Sequence, residues 1–142
     1  MFQELEKYQH SNHFRFTKEN ELVEVCNAPE NASGIYLVYS VVDDVKELIM
    51  VGSSGTIQNN GELKSRNGGL YDKIVNGHQF GKMGRKYSWP MQMEKENFDA
   101  LEVYWYETVN EHNKEIPTYA EAFVLQQFFA ANQRLPKWNV AF

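Results

Sequence analysis

Two neighbouring stretches decide the fold: "GIYLVYSVV" at residues 34–42 and "ELIMVGSS" at 47–54. Both are rich in β-branched and aromatic residues, and their apolar runs are almost unbroken. That is the pattern of strands covered on both faces. The acidic "VDDVKE" at 42–47 is a turn. It is too short for a crossover, so the two strands pair antiparallel.

Upstream, "HFRFTKENELVEVC" (13–26) reads as a short strand followed by a helical turn, and "NAPENAS" (27–33) as a loop marked by Pro29. Downstream, "GTIQNNGELKSRNGG" (55–69) is a long polar loop, of the kind that often carries function. "GLYDKIVNG" (69–77) is helical, with Leu70, Tyr71 and Ile74 on one face and Gly77 as its stop. "HQFGKMGRKYSWP" (78–90) reads as a basic, aromatic loop, and "FDALEVYWYETV" (98–109) as a third strand. After a turn, "TYAEAFVLQQFFAANQ" (118–133) is a helix with two i,i+4 apolar pairs, Val124 with Phe128 and Leu125 with Phe129. Thr118 followed by Glu121 has capping-box spacing. "RLPKWNVAF" (134–142) closes as a loop packed by Trp138 and Phe142. The expected fold is α+β: one domain with a central three-stranded antiparallel sheet flanked by helices. Residues 33–142 would form its core and 1–32 an N-terminal extension.

At 142 residues, 42% apolar and 14% aromatic, the chain has the length and composition of one globular domain. No apolar run approaches the roughly 20 residues of a membrane span. "MFQELEKYQH" lacks the basic and apolar regions of a secretory signal. A single cysteine, Cys26, has no partner for an internal disulfide. A cytoplasmic location with no membrane association is therefore expected. The net charge of −5 speaks against nonspecific coating of nucleic acid, while leaving room for a local basic patch.

"GIY" at 34–36, with a second strand ending in "VG" at 51–52, resembles the GIY-YIG nuclease family. The order hairpin, helix, strand, helix is that of the family. So are Glu121 at the start of the late helix and Asn139 in the "LPKWN" tail. The resemblance spans residues 33 to 139, and its wording is most similar to a bacterial branch that includes small restriction-type nucleases. It implies metal-assisted hydrolysis of DNA phosphodiesters with one Mg²⁺ or Mn²⁺. By the same resemblance Tyr36 would orient the attacking water. A helix cation, Lys73, with Arg66 beside it, would stabilise charge on the phosphate. Glu121 would hold the ion, and Asn139 would brace the site. Two positions depart from the family: Met50 stands where the second motif has Tyr, and Lys73 where the helix has Arg. Met offers no proton, and Lys loses the bidentate fork.

Each of these residues also has a plainer reading. Tyr36 suits a strand that packs its ring, Lys73 an exposed helix cation and Asn139 a turn. Glu121 could cap its own helix through the Thr118 N–H. His78, next to the basic loop, is a candidate proton shuttle or phosphate ligand. Lys64 and Arg85 rival Lys73 for the phosphate. Lys82, Arg85 and Lys86, interleaved with Tyr87 and Trp89, form the candidate DNA-contacting patch. A fold-retaining nucleic-acid-binding module without turnover is the alternative function; a purely structural α+β protein is a third. Cutting two strands would favour a homodimer, and specificity would come from loops or from a separate partner.

Overall fold

A computed structural model of the chain describes residues 2–142. A short 3-10 turn, Gln3–Lys7, leads into β1 (Ser11–Phe16) and a one-turn helix α1 (Leu22–Val25). The hairpin follows as β2 (Gly34–Val42) and β3 (Val45–Ser54). Asp43 and Asp44 join them, both with left-handed backbone (φ 50° and 63°), as a two-residue turn matching the strand twist requires. The long polar loop contains a miniature hairpin, β4 (Thr56–Ile57) and β5 (Leu63–Lys64). Then come α2 (Gly69–Asn76), α3 (Arg85–Glu96), β6 (Ala100–Glu107) and α4 (Pro117–Asn132).

The main sheet has four antiparallel strands in the order β1-β6-β2-β3. The sequence reading expects three; the fourth is β1, paired along its whole length with β6 from Ser11 opposite Tyr106 to Phe16 opposite Leu101. Residues before 33 therefore complete the sheet. β2 is buried on both faces, as its apolar run predicts, and it separates two cores. Tyr36 and Val38 face one core with Leu70 and Ile74 of α2 and Trp89 and Met93 of α3. Ile35 and Leu37 face the other with Val124, Leu125 and Phe128 of α4.

A bulge controls β3. Val38 lies opposite Met50 and Tyr39 opposite Leu48, so Ile49 is an extra residue. The bulge turns Ile49 and Met50 toward the same core. Met50 thus packs as a buried thioether, 8% exposed.

Three local expectations are corrected. Residues 85–90, expected within the loop 78–90, instead open α3, with Pro90 accommodated inside the helix. Proline there removes a single helical hydrogen bond, and the burial of Trp89 and Met93 outweighs it. α4 has no capping box: Pro117 occupies its first position, Ile116 is the N-cap, and no side chain bonds the helix end. In the tail Trp138 is buried, but Phe142 is 69% exposed and packs little.

The tail clasps the open edge of β3. The Trp138 N–H donates to the Ile49 carbonyl at 2.7 Å. Asn139 bonds Val51 twice, accepting from its N–H at 2.9 Å and donating to its carbonyl at 3.0 Å. An edge strand is thereby covered. No helix among the described residues is long and apolar enough to cross a membrane.

Candidate functional site

The site lies where β3 ends, between α2 and α4. Gly52 is paired with Tyr36 across the hairpin. A Cβ on Gly52 would sit 2.3 Å from the phenol oxygen, so the "VG" glycine is the space that the ring occupies. Side chains alternate along a strand, so the next residue, Ser53, points to the α4 side. Its hydroxyl donates to Glu121 Oε1 at 2.6 Å. The expected bond from Glu121 to the Thr118 N–H is not formed; the carboxylate is turned to the sheet edge instead.

Four charged groups influence one another here. Burial raises the Glu121 pKa above its ordinary value, partly offset by the Ser53 hydroxyl and the Lys73 charge. Burial lowers the Lys73 pKa, Arg85 and Arg66 lower it further, and Glu121 opposes them. Lys73 is therefore half-buried beside two other cations and one acid. Arg66 is exposed and donates from Nε to Asp72 Oδ2 at 2.7 Å. Asn76 donates to the other oxygen of Asp72, and these two contacts hold the Asp72 carboxyl below its usual range.

Arg85 is the residue that sequence reasoning misplaces. It is expected as a rival to Lys73 for the phosphate and on a DNA-contacting surface, yet it is only 3% exposed. Its Nη1 donates to the Tyr36 phenol oxygen and to the Lys73 carbonyl, both at 2.8 Å, and its Nε to Gln79 Oε1 at 3.1 Å. All three acceptors are neutral. Its guanidinium also lies over the rings of Tyr36 and Trp89. No ion pair among the described residues includes it. A buried guanidinium stays charged, and without a carboxylate it favours an incoming anion. Ser53 and Asp72 are further members that the sequence does not single out.

Tyr36 has no exposed surface. It cannot touch bulk water, which corrects the expectation that it orients the nucleophile directly. Its oxygen is nevertheless engaged by Arg85, so the ring packs in the core while its tip is polar. Trp89 is also fully buried, its indole N–H donating to Gln79 Oε1 at 3.0 Å, and it is unable to stack on a base. Asn139 spends its amide on Val51, one residue before Gly52. It holds the strand that carries Gly52 and Ser53.

No protein-family model, no curated protein and no solved structure matches the chain. The side chains themselves must carry the functional reading.

His78 is exposed, in a backbone bridge with Gly84, and no hydrogen bond or ion pair joins its ring to the cluster. Lys64, on β5, and Lys82 are exposed, and Lys86 is half-exposed. The cluster brought together is thus Tyr36, Ser53, Arg66, Asp72, Lys73, Arg85 and Glu121. Among the described residues no three His, Cys, Asp or Glu gather as a metal cage. What fits is a hard cation on one carboxylate, its other ligands being water and substrate oxygens. The Glu121 carboxyl suits this role: Oε1 takes the Ser53 bond, and its burial makes a nearby cation favourable.

Proposed function

We propose that the chain is a metal-dependent endonuclease that hydrolyses DNA phosphodiesters, a GIY-YIG-type enzyme in which the buried Arg85 charge supports Lys73 at the phosphate. The observation that supports it best is that Glu121, bonded to Ser53, and Arg85, bonded to the Tyr36 phenol that packs on Gly52, meet the end of β3 from its two sides, with Arg85 lacking any carboxylate partner. Charge collects on the non-bridging oxygens of a phosphoryl group during displacement, and preplaced cations stabilise it. Lys73 and, from the rim, Arg66 supply those cations, and the buried Arg85 adds its charge from beneath them. Asp72 holds Arg66 in place. Tyr36 is a positioning residue: its phenol oxygen keeps the guanidinium aimed between α2 and β3. Glu121 would hold one Mg²⁺ or Mn²⁺, steadied by Ser53. When bound, the ion supplies a Lewis acid for the phosphoryl oxygens.

The test is incision of supercoiled plasmid with Mg²⁺ or Mn²⁺. The expected result is nicked or linear product from the wild type, reduced by at least about a hundredfold in Glu121→Gln. No incision by the wild type, or full activity in Glu121→Gln, would overturn the reading. Two observations favour a second one, a DNA-binding module without turnover: Tyr36 is closed off from solvent, and Met50 sits in the core where the family has a tyrosine. Salt-dependent duplex binding without any incision is its signature.

A further inference from the structure

The protein's charge is segregated. Between Asp72 and Glu94 there is no acidic residue, while Lys73, Lys82, Arg85 and Lys86 all fall in that stretch of a chain whose net charge is −5. Lys73 and Arg85 belong to the site above. Lys82 and Lys86, with Lys95 further along α3, enter none of the ion pairs among the described residues.

The same region carries an apolar ridge. Met83 is 45% exposed, Tyr87 59% and Met91 62%. Their four-residue spacing places Tyr87 and Met91 on one line along α3, with Met83 just ahead of its first turn. A hollow flanks the ridge on each side. One, of about 390 Å³, is lined by Lys86, Tyr87 and Pro90 on the α3 side and by Glu21 and Val23 opposite, so an acid faces the lysine across it. The other, of about 200 Å³, is lined by Met83, Ser88, Met91 and Lys95. Each hollow therefore has a lysine on its wall. Ser88 is buried, and its hydroxyl has no protein partner.

We propose that this outer face of α3 is the surface that docks duplex DNA, with the helix lying in the major groove. This deepens the reading of the chain as a DNA-acting protein and rests on it. A helix fits that groove, which is about 12 Å wide. Tyr87 and Met91 would meet base edges and thymine methyls, and Lys86 and Lys95 the phosphates on either side. α3 begins at Arg85, whose side chain bonds Tyr36 beneath the helix, so this face starts at the helix end that touches the proposed site. A second copy of the chain is disfavoured as occupant. A two-fold interface would bring together Lys82, Lys86 and Lys95 of both copies, which outnumber Glu21 and Glu94 on this face.

The experiment is fluorescence anisotropy with a 30-bp duplex in EDTA, from about 50 to 200 mM NaCl. Wild type should bind with a steep salt dependence. The double variant Lys86→Gln/Lys95→Gln should flatten the log–log slope by about 2. Tyr87→Ala/Met91→Ala should weaken binding by at least about tenfold with the slope unchanged. All four side chains are at the surface, so circular dichroism should be unaltered. Unchanged affinity in both variants overturns the docking surface. So does a wild type that binds no duplex, one that prefers anionic lipid vesicles, or a Tyr87→Ala/Met91→Ala effect confined to sedimentation as a dimer. Loss of incision with this binding pattern intact would sink only the hydrolase reading.

Discussion

Burial holds the Glu121 carboxyl above its ordinary range, with Ser53 and Lys73 only partly compensating. A carboxyl whose folded pKa is raised favours folding below its unfolded pKa and loses that contribution as pH rises through the folded value. Wild type should therefore be less stable than Glu121→Gln at neutral pH, and the gap should close as pH falls below about 4.5, the unfolded carboxyl range. Thermal melts of both proteins from pH 4 to 8 check this. Divalent cation should reverse the order. Mg²⁺ or Mn²⁺ at a hundredfold excess over its Kd should stabilise wild type by about 2.7 kcal/mol and leave the variant unmoved. Equal shifts in both proteins would remove Glu121 as the ligand. At this scale the sequence reveals residue types better than their surroundings. Glu121, Lys73 and Tyr36 are singled out through their place in a pattern. Arg85 is misread because its neighbours Lys82 and Lys86 are surface cations, while its own partner, Tyr36, lies 49 positions away. Whether a cation is buried depends on such distant contacts, and local composition does not contain them.

Elements differ in how much of their ending is written locally. β2 and β3 are legible because a continuous apolar run demands cover on both faces. α2 is legible from Leu70, Ile74 and the stop at Gly77. α3 is not, since Pro90 is a strong local signal against a helix and the packing of Trp89 and Met93 is a nonlocal signal for it. The beginning of α4 shows the same conflict. Thr118 and Glu121 have capping-box spacing, but Pro117 starts the helix and Ser53 claims the carboxylate. Thr118→Ala should accordingly change stability by no more than about 0.5 kcal/mol, where loss of a working N-cap costs roughly 1. Asn139→Ala makes the informative contrast. It leaves the Val51 N–H and carbonyl at the edge of β3 without their partners. A cost of about 1–3 kcal/mol is expected, with faster amide exchange at Val51. Chemical denaturation and hydrogen exchange on the two variants measure both effects; a harmless Asn139→Ala would show that the tail does not secure the strand.

At the level of the whole molecule, the sheet divides two helical layers, and the site lies at its β3 edge, where groups from both layers meet. Lys73 comes from one side and Glu121 from the other, and each feels the other's charge. The α+β class is legible in the order of elements. The short strand before residue 26 is legible too, but its place in the sheet is not: β1 alternates weakly, with only Phe14 and Phe16 buried, and nothing local pairs it with β6. The N-terminal segment nevertheless contributes to both cores, with Phe14, Phe16 and Leu22 in one and Leu5 and Tyr8 in the other. Tyr8 and Lys7 also bond Glu115, tying the start of the chain to the approach to α4. Burying a large apolar side chain contributes about 1.5–3 kcal/mol. Five of them contribute roughly 7–15 kcal/mol, comparable to the whole stability of a domain this size. A fragment of residues 33–142 should therefore lack a cooperative melt, bind a hydrophobic dye and show no near-UV signal from Trp105, whose strand would lose its β1 partner. Calorimetry and circular dichroism on that fragment test it. A cooperative transition with native near-UV signal would show that the hairpin and its helices stand without β1.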